Sequence, residues 1–237
     1  MKKIFSHPKF YHVFLLLGLL GMAAQFWFAA VKPDAAGLLP QWHAATVVTT
    51  VLVVITAVLA VLTTPFIRMP SHSAPVRAVG AGVASAFLLV SAIVLFVRLD
   101  ILSGILALLA SLGSVYVSFC RTKKQKVHYA AYALFALCYM FYLISRYRVW
   151  SAEPETVRYV FQLLALVCAL LVFYQKAALH ARTGKFASYH FWRCMTLMLS
   201  LTAIPSAANP TLYLAAAVWM LLDSSPRPHK KDREEAQ

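Results

Sequence analysis

The acidic side chains of this 237-residue chain lie outside its apolar segments. The eight carboxylates fall in connecting segments, at the ends of apolar runs or in the tail: Asp34, Asp100, Glu153, Glu155, Asp223, Asp232, Glu234 and Glu235. Proton- and sodium-coupled carriers usually hold such a group inside the membrane. The sequence therefore disfavours ion-coupled transport and acid–base catalysis within an apolar region.

The histidines and cysteines form no recognised ligand or nucleophile motif. The sequence has no HExxH or CxxC spacing, and it has neither a GxSxG motif nor a P-loop. Cys120, Cys138, Cys168 and Cys194 are expected to be buried thiols that pack as small apolar groups. We predict no catalytic residue, no metal site and no cofactor.

Three polar or aromatic side chains lie inside apolar runs and are candidate ligand or partner contacts. Gln25 and Gln162 each carry an amide that donates and accepts hydrogen bonds, either to a neighbouring helix or to a substrate. Tyr139 lies deep in another run, where it can pack in the core or form part of a stacking surface.

A charged cluster between two apolar runs is the remaining candidate. Arg146 and Arg148 can grip a phosphate or carboxylate through two parallel hydrogen bonds. Glu153 and Glu155 follow closely and can neutralise them, which favours a solvated charged rim. We keep both arginines as possible ligand or partner contacts.

The composition selects the membrane class of proteins. Hydrophobic residues make up 61% of the chain, charged residues 13%, and the mean hydropathy is +0.71. A bilayer can accommodate this apolar excess, whereas a soluble core cannot. The net charge of +14 comes from short blocks between apolar runs, so membrane topology explains it better than nucleic-acid binding.

The apolar runs predict an all-α polytopic transmembrane bundle of about eight spans. A spanning helix needs about 20 apolar residues. Six candidate runs cover about 11–31, 44–67, 76–97, 100–120, 128–145 and 156–179, and a seventh stretch covers 189–223. That stretch is too long for one helix, and Pro205 and Pro210 flank small residues within it. It is predicted to be a short hairpin of two helices, although seven spans are possible.

The distribution of lysine and arginine gives the predicted orientation. Of the 22 such residues, five lie on one side of the alternating spans, and the others lie on the opposite side. The five are Lys32, Arg98, Arg146, Arg148 and Arg158. The basic side is predicted to be cytoplasmic and to hold both termini. Residues 1–223 would form one membrane domain with an uncleaved first span, and residues 224–237 a disordered cytoplasmic tail.

Small residues at four-residue spacing predict close helix contacts, because they let backbones approach. In the third run these are Ala78, Gly82 and Ala86, with Gly80 and Ala84 beside them. In the fourth run they are Ser103, Ala107, Ser111, Ser114 and Ser118. The short connection between the two runs predicts an antiparallel pair. Packing is the favoured interpretation, and a serine-lined path is the alternative.

The C-terminal spans resemble a group of bacterial multi-pass membrane proteins of unknown function. The residues that carry the resemblance are Tyr147 to Trp150, Phe161 to Ala165, Phe173-Tyr174, Ala177-Ala178, Asn209-Pro210, Leu212 to Leu214 and Trp219. The resemblance implies a bacterial cytoplasmic membrane and nothing about mechanism.

Three functional hypotheses follow. The preferred one is a non-enzymatic module, sensor-like or accessory, that binds lipid or a membrane protein partner, with anionic headgroups at its cytoplasmic face. The alternative is a transporter of small neutral or lipophilic solutes, with Gln25, Gln162 and Tyr139 lining its path. An enzyme acting on lipid or prenyl substrates is disfavoured, because Asp100 and Asp223 are predicted on opposite sides.

Overall fold

The computed structural model describes residues 11–30, 43–64, 74–123, 125–150 and 159–222, and all regular structure in these ranges is helical. The helices are α1 (Tyr11–Ala29), α2 (Ala44–Thr63), α3 (Ala74–Val97), α4 (Ile101–Thr122), α5 (Tyr129–Trp150), α6 (Val160–His180), α7 (Phe186–Ala203) and α8 (Pro210–Leu222). The predicted helical bundle is confirmed. The predicted disorder of 224–237 lies outside the described residues.

The first six of these helices are long and apolar enough to cross a membrane. One boundary differs from the sequence expectation, and another is only partly described. Helix α2 is described to Thr63, its C-cap Thr64 keeps helical φ and ψ, and the last three residues of the predicted run lie outside the described residues. Helix α5 continues to Trp150, and its last turns carry Arg146 and Arg148. The helix therefore extends beyond its apolar part into the charged rim.

The last two helices form the predicted hairpin and occupy the centre of the bundle. A short 3-10 helix, Ile204–Ser206, follows α7, and Pro210 is the first residue of α8. Helix α7 packs against α1, α2, α6 and α8, while α8 packs against α3. Every residue from 193 to 203 is buried. Because α8 is only about 20 Å long, it falls short of a hydrocarbon core of about 30 Å.

The antiparallel pair predicted from the short connection is confirmed, and hydrogen bonds join α3 to α4. The hydroxyls of Ser85 and Ser111 lie 3.0 Å apart, and each donates to the other residue's carbonyl. Ser114 donates to the Ala81 carbonyl at 2.6 Å, and Ser118 to that of Ala78 at 2.8 Å. These serines serve helix packing, as the favoured interpretation holds.

Part of the predicted small-residue stripe on α3 is wrong. Gly82 and Ala86 are exposed, whereas Gly80, Ala81 and Ala84 are buried. A helix presents residues at spacings of three and four to one neighbour, and here two neighbours share the buried side. Gly80 lies against Leu222 of α8, where an added Cβ would be 2.5 Å from the leucine Cβ.

Gly80→Ala is therefore expected to destabilise the protein by about 1–3 kcal/mol, because the new methyl group overlaps Leu222. The matched control is Gly82→Ala on the same helix, where the nearest atom is 3.8 Å away. That variant should be neutral, or more stable by up to about 1 kcal/mol, through helix propensity. Thermal unfolding of both variants in one detergent compares them. Equal losses would contradict the close contact between α3 and α8.

Candidate functional site

Gln25 forms a hydrogen bond between α1 and α2. Its amide nitrogen donates to the Thr49 hydroxyl at 3.0 Å, and that hydroxyl donates to the Ala45 carbonyl at 2.7 Å. Both side chains are buried. Thr50, Thr56, Thr63 and Thr64 also bond to carbonyls one turn back, so the α2 threonines serve their own helix.

Gln162 and Tyr139 both bind the backbone of the hairpin. The Gln162 amide donates to the Ser206 carbonyl at 2.7 Å, and the Tyr139 hydroxyl to the Leu212 carbonyl at 2.9 Å. From α3, the Ser91 hydroxyl accepts a bond from the Asn209 amide at 2.8 Å. Gln162 and Ser91 thus satisfy polar groups where the hairpin breaks, and Tyr139 adds a bond to the first turn of α8. The structure therefore brings Gln162 and Tyr139 together at the α7–α8 hairpin, while Gln25 lies between α1 and α2.

A set of cationic and aromatic side chains fills the end of the bundle where α4 and α6 end and α7 begins. We name it the basic-end cluster, and its members are Arg121, Tyr132, Lys176, His180, Tyr189, Arg193 and Trp219. Helices α4 to α8 each supply at least one member. Most of these side chains are buried, and the relative exposure is 2% for Lys176 and 0% for Arg193.

Lys176 lies between two tyrosines. Its ammonium nitrogen is 3.5 Å from the Tyr189 hydroxyl, 4.9 Å from the centre of that ring and 5.8 Å from the Tyr132 ring centre. The faces of aromatic rings attract cations, and this attraction partly replaces lost hydration. Tyr132 also stacks on His180 at 4.7 Å between ring centres. The lysine charge is therefore held inside the bundle by aromatic faces.

The two arginines of the cluster bind backbone carbonyls. Arg193 donates from Nε to the Met220 carbonyl at 2.8 Å, which ties α7 to α8. Arg121 donates to the Arg77 carbonyl at 3.1 Å and to the Tyr132 hydroxyl at 3.4 Å, and its guanidinium lies 5.4 Å from the Trp219 ring centre. Three fixed cations therefore meet in a space of low polarity.

The cluster carries a local excess of positive charge. Asp100 is the single carboxylate within the described ranges, and it lies at the opposite end of the bundle. The tyrosine and tryptophan rings suit the polar–apolar boundary of a bilayer.

At the opposite end, the structure separates the two rim arginines. Arg146 is half-buried, and its Nε donates to the Tyr142 hydroxyl at 3.1 Å. Together with Arg98, Asp100 and Ser145 it lines an open groove of about 320 Å³. Arg148 is exposed and does not line this groove. Glu153 and Glu155, which were expected to neutralise the rim, lie outside the described residues.

Sequence reasoning counted Lys176 and Arg193 only as charges that set the orientation, and so it missed the cluster. The signal was present, because apolar and aromatic residues flank Lys176 on both sides and Arg193 follows Phe191 and Trp192. A cation inside an apolar helix must have partners within the protein. Trp219 is buried among the rings of Tyr132, Phe135 and Phe173.

The described residues contain no group of three side chains able to hold a metal ion. Six spanning helices around a buried hairpin define a multi-pass α-helical membrane protein. Comparison with protein-family models, with curated proteins and with solved structures finds no match to this chain.

Removal of the hydrogen bond between Gln162 and Ser206 is expected to destabilise the protein while the helix that carries Gln162 is retained. Gln162→Met removes the donor to the half-buried Ser206 carbonyl and should lower the free energy of unfolding by about 1–3 kcal/mol. Gln175→Met on the same helix is the matched control, because Gln175 is only half-buried. Chemical unfolding in detergent measures both. A loss for Gln175→Met as large as that for Gln162→Met would show that this bond contributes nothing of its own.

Proposed function

We propose that the chain is a non-enzymatic membrane module whose basic end binds anionic lipid headgroups. The observation that carries the proposal is the basic-end cluster, in which Arg121, Lys176 and Arg193 lie among aromatic rings. A headgroup phosphate is the anion that a membrane offers at this depth. The proposal places the basic end at the cytoplasmic face of a bacterial cell membrane, with both termini on that side.

Further basic side chains lie on the surface at the same end of the bundle. Lys123, Lys126, Arg182 and Lys185 are exposed in the segments that join α4 to α5 and α6 to α7. Attraction to an anionic leaflet is worth about 1 kcal/mol for each basic residue near the surface. The exposed cations concentrate anionic lipid, and Arg121, which is half-buried, can contact a headgroup while its guanidinium stays on Trp219.

The surroundings of the other candidate residues support a binding module over a solute transporter. Gln25, Gln162 and Tyr139 each make a hydrogen bond within the protein. A transporter that used them would have to break these bonds on every cycle. The proposed module keeps them as fixed packing contacts, and a membrane protein partner remains compatible with it.

Retention of lipid in mixed nanodiscs tests the proposal. In discs of phosphatidylglycerol and phosphatidylcholine, the wild-type protein should retain phosphatidylglycerol above its bulk fraction when it is released for native mass spectrometry. Arg121→Gln should lower that enrichment by about fivefold, which corresponds to the loss of about 1 kcal/mol of attraction. The guanidinium both carries charge and orders the cluster.

Lys185→Gln is the matched control, since it removes one charge from an exposed position at the same end. It should lower the enrichment much less than Arg121→Gln. Equal effects of the two variants would indicate general surface attraction and would contradict a defined site. Unfolding temperatures, measured on the same samples, separate loss of binding from loss of structure.

A further inference from the structure

The groove at the end opposite the basic-end cluster combines both signs of charge. It lies between the α3–α4 connection, which supplies Arg98 and Asp100, and the last turns of α5, which supply Ser145 and Arg146. Its volume of about 320 Å³ lies at the small end of the range for ligand pockets. We propose that this groove binds the zwitterionic headgroup of a phospholipid with a primary ammonium group, such as phosphatidylethanolamine.

The carboxylate of Asp100 is available to the groove because it does not cap a helix. Asp100 precedes α4, where aspartate commonly accepts bonds from the first backbone N–H groups, but its side chain makes no such bond. It instead accepts a hydrogen bond from the Ser145 hydroxyl at 2.7 Å. A carboxylate accepts several hydrogen bonds, so Asp100 can also receive an ammonium group.

The α3–α4 connection holds this geometry at a cost in backbone strain. Leu99 has φ of 61°, in the left-handed region that a leucine rarely adopts. The amide of Leu99 donates to the Phe96 carbonyl and that of Asp100 to the Leu95 carbonyl, both at 3.0 Å. These bonds close the end of α3 in the form of a Schellman motif. The turn fixes Asp100 beside Arg98 on the rim.

The two arginines supply the anion-binding half of the groove. Tyr142, one turn earlier on α5, orients Arg146. The Arg146 Nε donates to the buried Tyr142 hydroxyl, and its guanidinium lies 5.2 Å from the centre of that ring. Within the described part of the chain, neither Arg146 nor Arg98 forms an ion pair with Asp100. Two guanidiniums and one separate carboxylate match a phosphate joined to an ammonium.

The position of the groove favours a lipid over a soluble zwitterion. It lies where three spanning helices reach one membrane face, which is the depth of the headgroups. Two of its lining side chains, Leu99 and Val149, are apolar and exposed, and exposed Val97 and Ile101 flank the α3–α4 connection. These side chains suit the glycerol and first acyl carbons of a lipid. Leu99 is 82% exposed although it is held in a strained backbone position.

The test compares two lipids that differ only in the ammonium group. Phosphatidylethanolamine carries three N–H donors there, whereas phosphatidylcholine carries methyl groups and cannot donate to Asp100. In nanodiscs of equal parts of both, native mass spectrometry should show the wild-type protein with about tenfold more bound phosphatidylethanolamine. Asp100→Asn should reduce this ratio to about one. Arg98→Gln and Arg146→Gln should each weaken the binding of both lipids.

Two further variants keep the test decisive. Arg148→Gln removes a charge two residues beyond Arg146 but outside the groove, and it should leave the lipid ratio unchanged. Ser145→Ala retains every charge and releases Asp100 from its hydrogen bond, so it should preserve the preference for phosphatidylethanolamine. If Ser145→Ala abolishes the preference as Asp100→Asn does, the effect is structural and the proposal fails.

Two outcomes decide the identity of the ligand. Equal retention of both lipids by the wild-type protein would overturn the proposal. Soluble phosphoethanolamine could bind lipid-depleted wild-type protein and fail to bind Asp100→Asn. If the wild-type protein at the same time retained both lipids equally, the groove would have the proposed chemistry, but its ligand would be soluble. The expected result is that the lipid preference is present and that millimolar phosphoethanolamine does not displace the lipid.

Discussion

The fold depends on satisfying the backbone where the α7–α8 hairpin breaks. In a bilayer, an exposed amide or carbonyl group has no water to bind, so non-helical backbone survives only when protein surrounds it. Here Gln162 of α6 binds the Ser206 carbonyl in the break, while Tyr139 of α5 binds the Leu212 carbonyl of α8 and Ser91 of α3 binds the Asn209 side chain. These bonds come from helices distant in the sequence. The hairpin therefore requires the surrounding bundle, and the bundle is in turn organised around the hairpin.

The same requirement explains the basic-end cluster. Because α8 is short, its C-terminal end and the beginning of α7 meet inside the bundle, where Arg193 binds the Met220 carbonyl. The C-terminal end of a helix exposes carbonyl groups without intrahelical partners, and a cation is the favourable donor to them. Arg121 binds the Arg77 carbonyl near the start of α3, and this bond joins α4 to α3 without serving a helix end. Both arginines therefore tie helices together.

The sequence predicted the helices well because hydropathy reports directly on what a bilayer accepts. It also predicted the hairpin, since Pro205 and Pro210 cannot lie within one continuous helix. It could not predict which face each helix buries, and the stripe containing Gly82 was assigned to the wrong side for that reason. The clusters depend on contacts between residues such as Asp100 and Ser145, 45 positions apart, and no local pattern encodes that pairing.

The two ends of the bundle differ in how their charges are held, and this difference has a chemical consequence. At the basic end, three cations are held by carbonyl groups and aromatic faces, and no carboxylate of the described residues lies among them. At the other end, Asp100 stands beside Arg98 and Arg146, so a ligand meets both signs within one groove. A site with charges of one sign selects ligands by their net charge, whereas a site with both signs selects ligands by the spacing of their opposite charges. The two proposed sites would therefore recognise their ligands by different rules.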